Sequence, residues 1–453
     1  MKRILLVFGI LAAAVVQARA QDQDSQNGLQ REIQDFQKDC GEGGLKAVIN
    51  CTKDAFTEQP IHVAVGTIAP QNGFGVGPSL VESRNSADWR LALNADAVVS
   101  TNASWRAGAY LKVIFAKHAV TDPLAPKGLS LAPEYPAMNF YVQGISLNAI
   151  DFYGIGPSTQ QGSEAVFGMR ETIAGANVLY PLIPRFHVSL FGELNGRFVN
   201  IRNGGNAGQG VSELYNNATA PGLANQPGFL QAGEGIRIQP TMFGDRVQPD
   251  LALTYQQFVA PGSRYSFQRL NTNVGVNVPL YHSMITKTRS YNGPDECGTD
   301  VKDRKCPVMM DKTGSVGLRL LITQSITPAG NSVPFYFQPT IGGADINNEK
   351  VLPAYSDYRF RAPNLLVVRA TFEHSIWGPL GFEFVYDIGK VAATRGDVDF
   401  NHLAHSFAPG LTLRLGGMPE VSFLFAFGGG EGTHPLLLMN NSLLGGSMRP
   451  SLY

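Results

Sequence analysis

Apolar and polar residues alternate strictly along most of this chain. Trp105, Ala107, Ala109, Leu111, Val113 and Phe115 share one face of an extended segment, and Arg106, Gly108, Tyr110 and Lys112 share the other. The same period recurs where Phe186, Val188, Leu190, Leu194 and Phe198 oppose His187, Ser189, Glu193, Asn195 and Arg197. It continues with Leu270, Val274, Val276 and Val278, with Val316, Leu318, Leu320 and Ile322, with Phe382, Phe384, Tyr386 and Ile388, and with Val421, Phe423, Phe425 and Phe427. Sixteen strands are predicted in this way, at 62–69, 73–82, 89–101, 103–116, 138–153, 164–181, 185–202, 233–243, 248–259, 264–282, 314–327, 363–376, 381–392, 405–415, 420–428 and 435–445. Residues 21–60 differ: they are polar with weak helical periodicity, as in LQREIQDF.

Alternation alone does not say which face is buried. A soluble sandwich hides the apolar face, whereas a membrane barrel turns it to lipid and lines its interior with the polar one. The predicted strands run to about 10–16 residues, long enough for a tilted span, whereas sandwich strands average about 5–6. No period of 40–50 residues repeats, so a propeller lacks support. The expected fold is therefore all-β: a transmembrane antiparallel β-barrel of about sixteen strands over residues 61–453. Strand parity then sends PQNG, TNAS, 154–163, 203–232, 260–263, 328–362, 393–404 and 429–434 to the outside. The turns LIPR and WGPL and the Cys297–Cys306 loop go to the periplasmic side, where 283–313 and 117–137 become unusually long insertions.

Composition agrees with a two-faced sheet. Of 453 residues, 16% are charged, against about 25% in a typical soluble protein, and 50 are glycine. Mean hydropathy is −0.05, and no stretch beyond residue 20 holds 18 uninterrupted apolar residues, which excludes a bundle of membrane helices. The 36 basic and 36 acidic residues cancel, so a strongly basic nucleic-acid binder is excluded. The 44% hydrophobic content excludes wholesale disorder.

The N-terminus reads as an export signal. Lys2 and Arg3 precede the apolar run Ile4 to Val16, and Ala18-Arg19-Ala20 offers a cleavage site, so residues 1–20 are expected to be a signal peptide and 21–60 a short periplasmic extension. Cys40 with Cys51, and Cys297 with Cys306, are expected as two disulfide loops in an oxidising compartment. Neither spacing is C-x-x-C and no histidines cluster nearby, so no metal is expected. G-x-S-x-G and H-E-x-x-H are absent, and the glycine-rich stretches at 73–77 and 427–432 read as turns. Neither a cofactor nor an enzymatic activity is expected.

The C-terminal third carries a further pattern. TIGGADINNEKVLPAYSDYRFRAPNLLVVRATFEHS is followed by FEFVYDIGKVA, SFAPGLTLRLGG and VSFLFAFGGGEG; upstream stand DFYGIGPST and APQNGFGVG. This order resembles the outer-membrane surface-antigen superfamily, which includes BamA-like insertases and two-partner-secretion translocators. The resemblance implies a long lid loop, 328–362, folded toward the lumen after a Gly-Gly entry. In that family an arginine at the loop tip pairs with acidic groups on the barrel wall. Here the tip reads Leu352-Pro353-Ala354-Tyr355, with proline in the arginine's place, while Glu373 and Asp387 stand at the acidic positions and Glu383 lies nearby. Arg359 or Arg361 is expected to replace the missing contact; the alternative is a wet lumen with solvated carboxylates. Members that insert or secrete proteins carry periplasmic POTRA modules, and residues 21–60 are too short for one. That counts against assembly or translocation, unless the protein acts with a separate periplasmic partner held by residues 21–60.

The alternation also places Arg106, Lys112, Arg197, Arg237, Arg269, Arg319, Arg369 and Arg414 on the polar face, against Glu193, Glu373, Glu383 and Asp387. Eight bases against four acids suggest a basic lumen suited to anionic solutes or an acidic plug; the alternative is that the charges pair across strands. Three functions follow for a protein of the outer membrane, surrounded by its lipid. They are assembly or translocation of envelope components at a weak seam between first and last strands, a lid-gated passive pore, and a structural surface antigen.

Overall fold

The computed structural model describes residues 61–121, 134–204, 208–243, 246–291, 304–377, 380–413, 421–439 and 450–452. The signal peptide, the 21–60 extension with Cys40 and Cys51, Cys297 and Arg414 lie outside the described residues, as does the side chain of Cys306. No disulfide is found among the described residues, and the two expected pairings are carried no further. Among those residues no helix is long and apolar enough to cross a membrane.

Sixteen strands form one antiparallel sheet in chain order. They are β1 (Ile61–Thr67), β2 (Phe74–Asn85), β3 (Arg90–Ser100), β4 (Trp105–Ile114), β5 (Ala137–Phe152), β6 (Ala165–Ile183), β7 (Val188–Asn203), β8 (Phe229–Ile238), β9 (Gln248–Val259), β10 (Phe267–Tyr291) and β11 (Arg304–Ile326). After a small separate pair, β12 (Thr340–Ile341) and β13 (Phe360–Arg361), the sheet resumes with β14 (Asn364–Trp377), β15 (Leu380–Ala392), β16 (Ala404–Leu413), β17 (Val421–Ala426) and β18 (His434–Met439). Each predicted strand has a counterpart. One expectation is corrected: residues 283–291 and 304–313 are not loop but strand. There β10 and β11 stay paired, holding register from Gln268↔Ile326 to Tyr291↔Arg304 with one bulge between Pro279 and Tyr281. Beyond Asn277 on β10 and Gly314 on β11 these strands have only each other as partners, so no outer neighbour imposes an apolar alternation there.

The sheet is inverted relative to a soluble protein. Leu194, Phe198, Leu318, Phe423 and Phe425 are all more than half exposed, whereas Glu171, Arg197 and Asp387 on the opposite face are at most 1% exposed. The polar face is concave. Arg359 bonds Thr159, between β5 and β6, and Glu431, between β17 and β18. On a flat sheet those connections would stand roughly 48 Å apart at the usual strand spacing. One guanidinium can join them only if the sheet curls around it. The connection 327–363 packs into the concavity at one end, where it meets the connections after β5, β7 and β9 at Gly156, Pro221 and Arg264.

Candidate functional site

Near that end the concave face is first a layer of rings and then a layer of hydrogen-bonded polar groups. Phe335, Tyr336 and Phe337 form one turn of 3-10 helix in the connection and are fully buried. Their rings meet Phe152 and Phe167 on β5 and β6, Phe229 on β8, and Phe258 and Phe267 on β9 and β10, with centroids 5.0–6.2 Å apart. Such contacts add specificity to an already large apolar burial. Arg269 reaches through this layer, stacked on Phe258 and Phe267, and donates to the carbonyl of Phe337.

Beneath lies a network across β5 to β8. Arg197 Nη1 donates to Glu171 Oε1 at 3.1 Å, and its Nε donates to Gln231 Oε1 at 2.5 Å and Asn195 Oδ1 at 3.2 Å. Gln231 passes the contact to Glu193 at 3.2 Å, and Tyr141 donates its hydroxyl to the same carboxylate at 2.6 Å. The buried charge of Arg197 survives there because it has an opposite partner in Glu171 and two further acceptors, whereas Glu171 relies on Arg197 through Oε1 alone.

The connection 327–363 is held by two arginines of its own. Arg359, 5% exposed, donates to Glu431 at 2.5 Å and to the side chain and carbonyl of Thr159 at 2.8 and 2.7 Å, and packs over Tyr153 and Phe360. Arg361 donates to the carbonyl of Phe335 at 2.8 Å and lies over Phe152 and Phe167, while its own carbonyl accepts from Gly156 N–H. Gly342 and Gly343 turn the chain at φ of 101° and 60°. A Cβ on Gly342 would stand 2.4 Å from Arg359 Cβ, so glycine is required both for the backbone angle and for the close approach. Tyr355 packs edge-on against Phe360.

The contact expected between Arg359 or Arg361 and Asp387 is not the one formed. Asp387 is gripped by Arg369, directly opposite it on β14, at 2.7 and 2.9 Å, and it accepts the Leu352 N–H of the loop tip at 3.0 Å. A strand arginine and a backbone amide thus stand where a tip arginine was expected, and Arg359 is free to reach the β17–β18 connection. Glu373 and Glu383 face each other in register across β14 and β15, and each has its own interactions.

The eight expected bases also find more acid than the alternation offered. Arg106 pairs with Asp96, Arg197 with Glu171, Arg237 with Asp250, Arg319 with Glu349 and Arg369 with Asp387. Arg269 binds a carbonyl as described, and Lys112 is exposed. Two charged groups of the connection itself are perturbed by burial: the carboxyl of Asp357 is raised and the ammonium of Lys350 is lowered. Among the described residues no three His, Cys, Asp or Glu side chains gather as metal ligands.

No family model and no curated protein matches this chain. Solved structures similar in outline include the following two. BamA from Haemophilus ducreyi lacking POTRA domains 1-3 is 11% identical, with a TM-score of 0.48 over 89% of this chain and 78% of that one. CdiB from Escherichia coli is 12% identical, with a TM-score of 0.46 over 85% of this chain and 60% of that one. Both likenesses are distant.

Proposed function

We propose that the protein is a closed outer-membrane barrel that acts on other envelope polypeptides at the seam between its first and last strands, its interior kept shut by the lid loop 327–363. The observation that carries this reading is the pair of sheet edges. The strand order begins at β1, of seven residues, and ends at β17 and β18, of six each, whereas β5, β6 and β7 have 16, 19 and 16. Short edge strands make a weak closure, and unpaired edge groups are a template for an incoming strand. The exposed apolar face supports a lipid environment, since so many large side chains are poorly solvated by water. Residues 21–60 would hold a periplasmic partner, and no catalytic role is assigned. An anion-selective pore is the weaker reading, because five of its eight bases are already neutralised and the loop fills the path.

The test is site-specific photo-crosslinking in intact cells. A crosslinker at Val65 on β1 or Leu437 on β18 is expected to give adducts with other polypeptides, and one at Leu194 on β7 is not. Adducts of equal yield at all three positions, or none at the two edges, overturn the proposal.

A further inference from the structure

We infer that the loop 327–363 and the last strand β18 move as one unit, so that the interior and the seam open together. This deepens the seam reading and rests on it. The reason is where the ties lie. Just before β18, Glu431 accepts from Arg359 Nε at 2.5 Å and from Ser356 N–H at 3.1 Å, both groups of the loop. After β18, the chain returns to the same loop: Leu452 N–H donates to Asn347 Oδ1 at 2.9 Å. The Leu452 side chain is 5% exposed, in the apolar cluster that contains Ile68, Ile346 and Tyr358.

The loop offers these anchors in fixed positions. Asp345 Oδ1 accepts from Asn347 N–H at 2.9 Å and Glu349 N–H at 2.7 Å, which holds Asn347 on a tight turn. Arg359 is fixed by Thr159 on its far side. The first strand is clasped as well, because Tyr358 donates its hydroxyl to Pro70 O at 3.3 Å, in the turn that follows β1. Against these ties β18 has, among the described residues, a ladder of six pairs, from Val421↔Met439 to Ala426↔His434. A loop displaced from the concavity must pull Glu431 and Leu452 with it or release them, and either way both flanks of this six-residue strand lose the support they have while the loop is seated.

The experiment compares the full-length protein with a Glu431→Gln, Leu452→Ser variant, reading hydrogen exchange and single-channel conductance on the same preparation. Expected are amide exchange at 434–439 about tenfold faster, the effect of losing one charge-assisted bond, and a rise in conductance, with 165–203 unchanged. Conductance that rises without faster exchange at 434–439 overturns the coupling, as does faster exchange spread equally over 165–203. Should the variant fail to fold, Asn347→Cys with Leu452→Cys, in a chain whose native cysteines are serine, gives the same answer. Oxidation should slow exchange at 434–439 and lower conductance relative to the reduced form, and no difference overturns the coupling. Because this readout needs no client, absent adducts at Leu437 would remove the seam's proposed task while leaving the joint motion measurable.

Discussion

Arg197 on β7 and Arg237 on β8 stand on the same face of neighbouring strands, and each has a carboxylate partner. Arg197 and Glu171 are 1% and 0% exposed, beneath the ring layer that Phe335 and Phe337 complete; Arg237 and Asp250 are 51% and 32% exposed, toward the opposite end. The concave face is therefore dry in one half and wet in the other, although the residue types hardly differ. What divides them is the cover supplied by the loop 327–363. In the dry half water cannot stand in for a missing partner, and Arg197 bonds three side chains. In the wet half water can replace either partner, so the Arg237–Asp250 fork contributes geometry more than stability.

The contrast can be broken by removing one arginine from each half. Arg197→Ala leaves Glu171 buried without its cation and is expected to destabilise the protein by about 3–5 kcal/mol. Arg237→Ala is expected to cost less than about 1 kcal/mol. Urea unfolding in detergent micelles checks both, and equal losses would mean that the halves do not differ in hydration. Replacing Arg197 and Glu171 together by Met and Leu sharpens the point, because an apolar pair should recover most of the loss.

A smaller effect tests the cover itself. Gly342→Ala forces a left-handed backbone angle on an L side chain and drives its Cβ against Arg359, at a cost of about 1–3 kcal/mol. The strain falls on the loop, so limited proteolysis should cut within 327–363 faster while the strands stay resistant. Unchanged cleavage would show that the loop absorbs the methyl group without moving.

Much of this division is invisible along the chain. Period-two alternation is local, so it located all sixteen strands. Around Arg197, buried beside the exposed Phe198, the neighbours keep the period. It could not show Glu171, Glu349 or Glu431 as partners, because those contacts depend on register and on the curl that brings β17–β18 beside β5–β6. Phe167, Phe258 and Phe267 were missed for a related reason: a ring on the concave face is favourable only where Phe335 and Phe337 descend onto it. The run of three aromatic residues in a loop was the one local sign, since exposed rings have no use there unless something covers them. The ribbon at 283–291 and 304–313 escaped because nothing imposes alternation on a hairpin beyond the edge of the sheet.

The smallest effect concerns charge in the cover. Asp357 accepts the Ala344 N–H at 2.7 Å, and burial raises its carboxyl above the ordinary range, with that hydrogen bond, Lys350 and His434 acting in the other direction. A raised folded value means that the folded protein holds this proton more tightly than the unfolded chain does. The stabilisation is complete below the ordinary carboxylate value and is lost as pH rises through the raised one. The loop should therefore sit more firmly in mildly acidic solution than at neutral pH. Asp357→Asn keeps the acceptor for Ala344 and removes the charge, so protease cutting of 327–363 in this variant should be slower at pH 7 and no longer depend on pH through that interval. Arg237→Ala is the matched control from the wet half, and it should leave the pH dependence of cutting as it is. A variant at Asp357 that is cut faster at pH 7 would show that the ionised carboxylate, through Lys350, supports the cover instead of loosening it.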